Sequence, residues 1–193
     1  MPSTRKPAEY LAEYASRVGA ALEKLSAGKL DEALALLERT IARKRRVYVG
    51  GNGGSAAIAD HLCCDWHKGT HVAGKPAMRV QSLTANSALF TALANDFGYE
   101  QTLSFQLETL GEEDDVAVLI SSSGNSPNVV KAAEKALEKK MHVIALTGFA
   151  GGKLAKLATI SLHVPVNNYG MAEDAHQMIM HTLAQVITHK RAV

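Results

Sequence analysis

Cysteine is scarce in this chain. Its 193 residues include only two cysteines, and these are the neighbours Cys63 and Cys64. Adjacent cysteines cannot close an unstrained disulfide with each other, so the sequence excludes a disulfide-stabilised fold. We expect both side chains to be buried apolar fillers. Because no signal peptide is recognisable, we also expect a reducing, cytoplasmic location.

The chain also lacks a strong net charge and long apolar runs. The formal net charge is +2, which is too small to indicate a nucleic-acid partner. The only dense basic run, residues 43–46, precedes an apolar segment and is interpreted as a solvated helix end. No apolar stretch has the roughly 20 residues that a membrane-spanning helix needs. The sequence therefore predicts neither nucleic-acid nor membrane association.

Short β-rich segments alternate with helical ones over most of the chain. The predicted strands are 46–50, 78–83, 116–121, 142–147 and 160–164. The predicted helices between and after them are 55–67, 86–95, 99–110, 127–139, 151–157 and 171–190. Nearly apolar strands that are each followed by a helix favour a parallel sheet covered on both faces.

Two amphipathic helices are predicted before the first strand. Apolar residues recur at helical spacing in residues 7–26 and again, after Gly28, in residues 30–41. We expect this pair, within residues 1–45, to pack on the sheet or on a second subunit. No repeat or linker interrupts the chain, so the sequence predicts one domain of residues 1–193 with its α/β core in 46–193.

Two loops rich in glycine and serine follow predicted strands. The first, residues 51–55, reads Gly-Asn-Gly-Gly-Ser, and the second, residues 121–126, reads Ser-Ser-Ser-Gly-Asn-Ser. Glycines allow backbone N–H groups to converge on one anion, and the following helix adds the positive end of its dipole. Serine hydroxyls supply further donors. Each loop alone could be a tight turn with a helix cap.

Neither loop has the spacing of a nucleotide-binding motif. The first lacks the G-x-G-x-x-G pattern of dinucleotide-binding folds, and no Gly-Lys-Ser/Thr follows it as in a P-loop. Both loops are expected at carboxyl ends of parallel strands, where open α/β sheets bind ligands. Together they predict a phosphate site.

The motifs resemble those of the phosphoheptose isomerases, which belong to the sugar-isomerase (SIS) domain group. The matching segments are 51–55, His61, 95–98, 121–126, 147–148 and 151–153, and the similarity extends from about residue 5 to 190. The resemblance implies a three-layer α-β-α sandwich with a five-stranded parallel sheet, and a homotetramer with active sites between subunits. It also implies conversion of sedoheptulose 7-phosphate to D-glycero-D-manno-heptose 7-phosphate, for the heptose of lipopolysaccharide or other surface glycans.

The resemblance also implies roles for individual residues. The substrate-binding set would be Asn52, Gly53, Gly54, Ser55, Asp65, Asn95, Asp96, Ser121, Ser122, Ser123, Ser126 and Glu173. Asp65 and His181 would be the catalytic acid/base pair that moves a proton through an enediol. One Zn²⁺ per subunit would be held by His61, Asp65, Glu173 and His181.

Two of these four positions depart from the family pattern. Asp65 stands where the family has glutamate, and Glu173 stands where it has glutamine. The first change retracts a carboxylate by one methylene, about 1.5 Å. The second adds a negative charge, which should favour a divalent cation. Alternatives are a non-catalytic SIS protein that binds a phosphosugar or a replication initiator, and an isomerase for another sugar phosphate.

Overall fold

The computed structural model describes residues 6–192 as a five-stranded sheet with helices on both faces. The strands are β1 (Arg46–Gly50), β2 (Arg79–Ser82), β3 (Val116–Ser121), β4 (His142–Thr147) and β5 (Ile160–His163). The α-helices are α1 (Pro7–Leu22), α2 (Ala27–Ala42), α3 (Gly54–Cys64), α4 (Ser87–Phe97), α5 (Ser104–Leu110), α6 (Pro127–Glu138), α7 (Gly152–Leu157) and α8 (Tyr169–Ala192). No helix within residues 6–192 is both long and apolar enough to cross a membrane.

All strand pairs are parallel, and the spatial order is β2-β1-β3-β4-β5. The chain winds from β1 to β2 on one side and then resumes at β3 on the other side. The connections after β1 and β3 therefore leave the sheet in opposite directions and open a crevice at its carboxyl edge. Both glycine- and serine-rich loops follow these two strands, so the topology places them at this crevice.

The core lies in two layers, one on each face of the sheet. Along β3, Val116, Val118 and Ile120 face the layer built with α1, α2, α3 and α8. The alternate residues Ala117 and Leu119 face the layer built with α5, α6 and α7. Every residue of β3 is buried, which explains its continuous apolar sequence. The predicted α-β-α sandwich is confirmed. Of the two N-terminal helices, α2 packs on the sheet at β1 and β5, whereas α1 packs on α8.

Helix boundaries follow local sequence signals. The hydroxyl of Ser26 accepts the N–H of Lys29 at the start of α2, and the Asn86 side chain accepts the N–H of Leu89 at the start of α4. These are the short polar side chains that cap helix N-termini. Pro127 occupies the first turn of α6, where its missing N–H costs no hydrogen bond.

Two predicted helices differ in detail from the structure. The segment 55–67 is α-helical only to Cys64 and continues as a π-helical turn over Asp65–Gly69. The segment 99–110 divides into a 3₁₀ turn, Tyr99–Gln101, and α5. The expectation of two buried cysteines is wrong for Cys64, which is exposed. Cys63 is partly buried, and this burial raises the pKa of its thiol to about 12.

A histidine lies fully buried in the middle of α8. His176 is 0% exposed, and among the described residues neither of its ring nitrogens has a hydrogen-bond partner of good geometry. Burial disfavours the charged imidazolium and lowers the pKa of His176 to about 4, although the nearby backbone of Thr147 offsets part of this effect. The folded protein therefore holds His176 neutral at pH 7.

We expect His176 to make the protein acid-sensitive. The His176 imidazole binds a proton near pH 6.5 in the unfolded state but only near pH 4 in the folded state. The stabilisation that comes from neutral His176 is therefore complete above pH 6.5 and is lost as the pH falls towards 4. The full loss is about 3 kcal/mol. Urea unfolding at pH 7 and pH 4 should show a smaller decrease for His176→Leu than for wild type. His142→Leu, at a half-buried histidine, should retain the wild-type decrease; equal decreases for all three proteins would contradict the assignment.

Candidate functional site

The loops after β1 and β3 enclose a cavity of about 250 Å³ at the carboxyl edge of the sheet. Its walls are Asn52, Gly53, Gly54, Ser55, Ile120, Ser121, Ser122, Ser123, Ser126, Tyr169 and Glu173. Nine of these residues are in the predicted substrate-binding set. Ile120 is the last apolar residue before the serines, and Tyr169 begins α8 with an exposed ring; no sequence motif marked Tyr169.

The first loop turns into α3 through Gly53. Its φ of +54° lies in the left-handed region, which glycine adopts without the steric cost that a side chain would add. Gly53 is the N-cap residue of α3 and places the first turn of this helix in the cavity wall. Within this turn the N–H groups of Ser55 and Ala56 donate to the carbonyls of Asn52 and Gly53 at 3.0 Å. This arrangement is suited to an anion because the helix dipole adds positive potential at the same place.

The side chain of Asn52 joins the two loops. Its amide N–H donates to Asn128 Oδ1 at 2.8 Å, and the Asn128 amide donates back to Asn52 Oδ1 at 2.8 Å. Tyr99 Oη also donates to Asn52 Oδ1, at 3.0 Å. Asn128 is fully buried in the first turn of α6. The sequence analysis missed Asn128, whose only signal was a polar residue on the buried face of that turn.

The second loop is held by its own hydroxyls and by the next connection. Ser121 Oγ lies 3.2 Å from Ser126 Oγ and accepts the N–H of Gly124 at 3.2 Å. Gly124 has a φ of +65°, and a Cβ at this position would overlap the carbonyl oxygen of Gly151. Only glycine therefore permits this close approach. Ser122 Oγ is buried and has no hydrogen-bond partner among the described residues.

No cationic side chain from residues 6–192 lines the cavity. None of its lining residues is lysine or arginine, so its donors are backbone N–H groups, hydroxyls and the amino ends of α3 and α6. Glu173 contributes a carboxylate instead, which lies so close to Gly54 that a Cβ there would overlap it. Partial burial raises the pKa of Glu173, and the charge of Asp174 adds to the rise.

A second group of side chains lies further along α3. His61 Nε2, Asp65 Oδ2 and His181 Nε2 form a triangle in which His61 is 3.2 Å from Asp65 and 3.1 Å from His181. The third side, from His181 to Asp65, is 3.0 Å. The structure thus brings together three of the four predicted metal ligands. Glu173, the fourth predicted ligand, is not in this group, and its role as a metal ligand stays a prediction.

The spacing of the three atoms suits a small divalent cation. Atoms held about 2.0–2.1 Å from one tetrahedral zinc are about 3.3 Å apart, close to the observed 3.0–3.2 Å. Two imidazoles and one carboxylate are also a common zinc donor set. Asp65 reaches both histidines despite its shorter side chain. His61, Asp65 and His181 therefore fit the zinc ion that the family resemblance implies.

Three predicted substrate-binding residues lie outside the cavity: Asp65, which belongs to the triangle, and Asn95 and Asp96. Asn95 and Asp96 are exposed near the end of α4, where the Asn95 amide donates to Asp96 Oδ1 at 2.8 Å. Neither residue lines the cavity between the loops. Their assignment to the substrate stays a prediction that the single chain does not support.

Trp66 fixes the relative position of Asp65 and His181. Its side chain is fully buried, and its indole N–H donates to the carbonyl of Met180 at 3.2 Å. Asp65 directly precedes Trp66, and His181 directly follows Met180. This hydrogen bond therefore links the π-helical turn to α8 at the residues adjacent to the metal-ligand triangle.

We expect Trp66→Phe to disturb this triangle as well as the core. The change removes the indole N–H donor and some buried side-chain volume. It should lower the free energy of unfolding by about 1–3 kcal/mol. Tyr48→Phe is the matched control, because the buried Tyr48 hydroxyl also donates to a backbone carbonyl, that of Leu110, at 2.7 Å. Zinc affinity, measured by competition with a chromogenic chelator, should decrease only for Trp66→Phe. An equal decrease for both variants would contradict this role.

Comparisons with known proteins agree with the geometry. The model of the SIS domain matches residues 9–148. The phosphoheptose isomerase of Nitratidesulfovibrio vulgaris is 36% identical over 164 residues, which cover 85% of this chain and 78% of that protein. The structure of the phosphoheptose isomerase from Francisella tularensis superposes with a TM-score of 0.88 at 30% identity, over 98% of this chain and 100% of that chain. The structure of the phosphoheptose isomerase from Neisseria gonorrhoeae superposes with a TM-score of 0.85 at 33% identity, over 93% of this chain and 95% of that chain. The chain belongs to the SIS-domain family and, within it, to the phosphoheptose isomerases.

Proposed function

We propose that the protein converts sedoheptulose 7-phosphate to D-glycero-D-manno-heptose 7-phosphate. The observation that carries this proposal is the arrangement of two sites along α3. The anion cavity lies at the amino end of this helix, at Gly54 and Ser55, and the triangle of His61, Asp65 and His181 lies near its carboxyl end.

The separation of the two sites matches a sugar phosphate. His61 follows Ser55 by six positions, which corresponds to about 9 Å along an α-helix. An extended six- or seven-carbon sugar phosphate measures roughly 10 Å from phosphorus to its first carbon, since each carbon–carbon bond is about 1.5 Å. A phosphate in the cavity would therefore place the carbonyl end of the sugar at the triangle. We choose the seven-carbon sugar because the relatives are phosphoheptose isomerases.

The phosphate would be held by neutral donors. The amino end of α3 lies in the cavity wall at Gly54 and Ser55, where its dipole favours an anion, and Ser121, Ser123 and Ser126 also line the cavity. The buried Ser122 hydroxyl lacks a partner in the described structure, and a hydrogen bond to a phosphate oxygen would remove the cost of leaving it unpaired. These contacts orient the sugar so that its first two carbons face Asp65 and His181.

The isomerisation is a pair of proton transfers between adjacent positions. Asp65 takes a proton from carbon 1 of the ketose, and the electrons of that C–H bond form the carbon–carbon double bond of an enediol. His181 gives a proton to oxygen 2 and receives the proton of oxygen 1, so that carbon 1 becomes the aldehyde. Asp65 returns its proton to carbon 2. No atom or electron is gained or lost overall.

A zinc ion held by His61, Asp65 and His181 would supply positive charge that stabilises the oxygens as they become anionic. Asp65 Oδ2 and His181 Nε2 would hold the ion, so proton transfer would use the other carboxylate oxygen of Asp65 and the other ring nitrogen of His181. The three side chains converge from α3, the π-helical turn and α8, so metal binding and proton transfer both depend on the packing of α8 against α3.

The remaining proposals concern assembly and context. Phe97 and Phe105 stack with ring centroids 5.1 Å apart, and Phe97 and Tyr99 are 57% and 53% exposed. Exposed aromatic clusters mark interaction surfaces, which supports a homotetramer. We propose a cytoplasmic enzyme that provides heptose for lipopolysaccharide or other surface glycans. A non-catalytic binding role would not require the converging carboxylate and histidines.

The activity is tested by incubating the full chain with sedoheptulose 7-phosphate and zinc and following the aldoheptose phosphate. Asp65→Asn and His181→Ala should each lower kcat by about 10²- to 10⁴-fold, as expected for loss of a general acid or base. His142→Ala is the matched control, since His142 begins β4 at the opposite edge of the sheet, and it should retain wild-type activity. Absence of turnover by wild type, combined with thermal stabilisation by the same sugar, would contradict the isomerase and support a phosphosugar sensor.

The assembly is tested by light scattering. Wild type should have four times the 20.6 kDa mass of the chain, and Phe97→Asp should produce smaller species because it places a charge in the aromatic cluster. Leu137→Asp, at an exposed apolar residue of α6, should stay tetrameric. A wild-type monomer at tens of micromolar would contradict the proposal.

A further inference from the structure

An aromatic side chain lies at the phosphate end of the cavity. Tyr169 is the first residue of α8 and lines the cavity, yet it is 62% exposed. It precedes Glu173, whose carboxylate lies against Gly54, by four positions, or about 6 Å along the helix. It precedes His181 by twelve positions, or about 18 Å. Tyr169 therefore lies on the side of the cavity that faces away from the metal-ligand triangle.

A second ring supports Tyr169. The ring of Phe149 packs against it, with the centroids 4.8 Å apart and the planes inclined by 54°. Phe149 lies in the connection from β4 to α7 and has a φ of +47°, a left-handed conformation that is rare for a bulky residue. Among the described residues, it is the only apolar non-glycine residue with a positive φ. Such strain persists where surrounding contacts stabilise it, and it is frequent at ligand sites.

The connection that carries Phe149 is bonded to two parts of the cavity. The N–H of Gly148 donates to the carbonyl of Ser122, in the second loop, at 2.9 Å. The N–H of Phe149 donates to the carbonyl of Val166, in the segment that leads into α8, at 3.1 Å. A Cβ on Gly148 would lie 2.8 Å from the Cβ of Ala172, so this backbone lies directly against the first turn of α8. The Phe149 ring is therefore held in place relative to the second loop and to α8.

We propose that the Tyr169 ring, supported by Phe149, closes the phosphate end of the cavity and restricts the site to phosphate monoesters, an inference that rests on the phosphosugar site proposed above. In a monoester the phosphorus carries a single organic group, here the sugar, which extends along α3 towards the triangle. A phosphodiester or a diphosphate-linked sugar carries a second group on that phosphorus. This group would have to leave the cavity on the opposite side, where the two rings lie.

The experiment compares two ligands that differ only in this second group. The first is heptitol 7-phosphate, which has no carbonyl and so cannot be isomerised, and the second is the ethyl phosphodiester of the same compound. Calorimetric titration of the full chain gives the dissociation constant of each. The preference for the monoester is the ratio of the two constants. The charge difference between the ligands is the same for every variant, so a change in the ratio between variants reports on shape.

Wild type should prefer the monoester, and Tyr169→Ala should lower this preference by about 10- to 100-fold, since overlap with a fixed side chain costs that much binding. Tyr169→Phe should keep the wild-type preference because the ring remains. Phe149→Gly should lower it by an intermediate factor, and it should fold because glycine adopts the positive φ without strain. The matched control is Tyr10→Ala, at an exposed tyrosine of α1, which should leave the preference unchanged.

The simplest competing explanation is that a second copy of the chain covers the two rings, since exposed aromatic side chains mark interaction surfaces. In that case Tyr169→Ala would produce smaller species in light scattering and would leave the preference for the monoester unchanged. That pair of results would overturn the proposal. A loss of preference in Tyr169→Phe would also overturn it, because the hydroxyl and not the ring would then select the ligand.

The outcomes separate this inference from the proposed isomerase. If wild type binds neither compound, the phosphosugar site fails and the inference fails with it. If wild type binds both esters equally while it still isomerises sedoheptulose 7-phosphate, only the role of Tyr169 is overturned. If wild type selects the monoester through Tyr169 but turns over no sugar, the isomerase fails and this inference stands.

Discussion

The packing of α3 against α8 is the constraint on which both halves of the site depend. The amino end of α3 forms part of the cavity wall, and its other end carries His61 and leads into Asp65. The hydrogen bond from Trp66 to the carbonyl of Met180 fixes α8 at the level of His181. A rotation or shift of α8 by one turn would separate the carboxylate from the histidine while leaving the phosphate loops intact.

The phosphate cavity is built from backbone geometry more than from charge. Positive φ angles at Gly53 and Gly124 bring N–H groups and hydroxyls to one place, and the reciprocal Asn52–Asn128 pair holds the two loops together. Because no lysine or arginine of residues 6–192 lines the cavity, a phosphate dianion there would be held by aligned dipoles and neutral donors.

Two acidic substitutions relative to the family pattern have different structural consequences. The shorter Asp65 still reaches both histidines, at 3.2 and 3.0 Å, and it stands where the helix changes from α to π geometry. Wider π turns are frequent at functional sites because they redirect side chains. Glu173 lies beside Gly54 and lines the cavity. The family pattern alone would have treated both as ligands of one ion.

The sequence by itself determined the sandwich, the strand positions and the phosphate loops, because these depend on local periodicity and on glycine and serine in short segments. β1, β3 and β4 coincide with their predicted ranges. The family motif also identified His61, Asp65 and His181. Only the tertiary structure decided that Glu173 lines the cavity and that Asn128 and Trp66 hold the site together. The reason is physical: helical spacing fixes the direction of a side chain around its own axis, but the depth and rotation at which α8 docks on α3 come from packing between residues more than 100 positions apart.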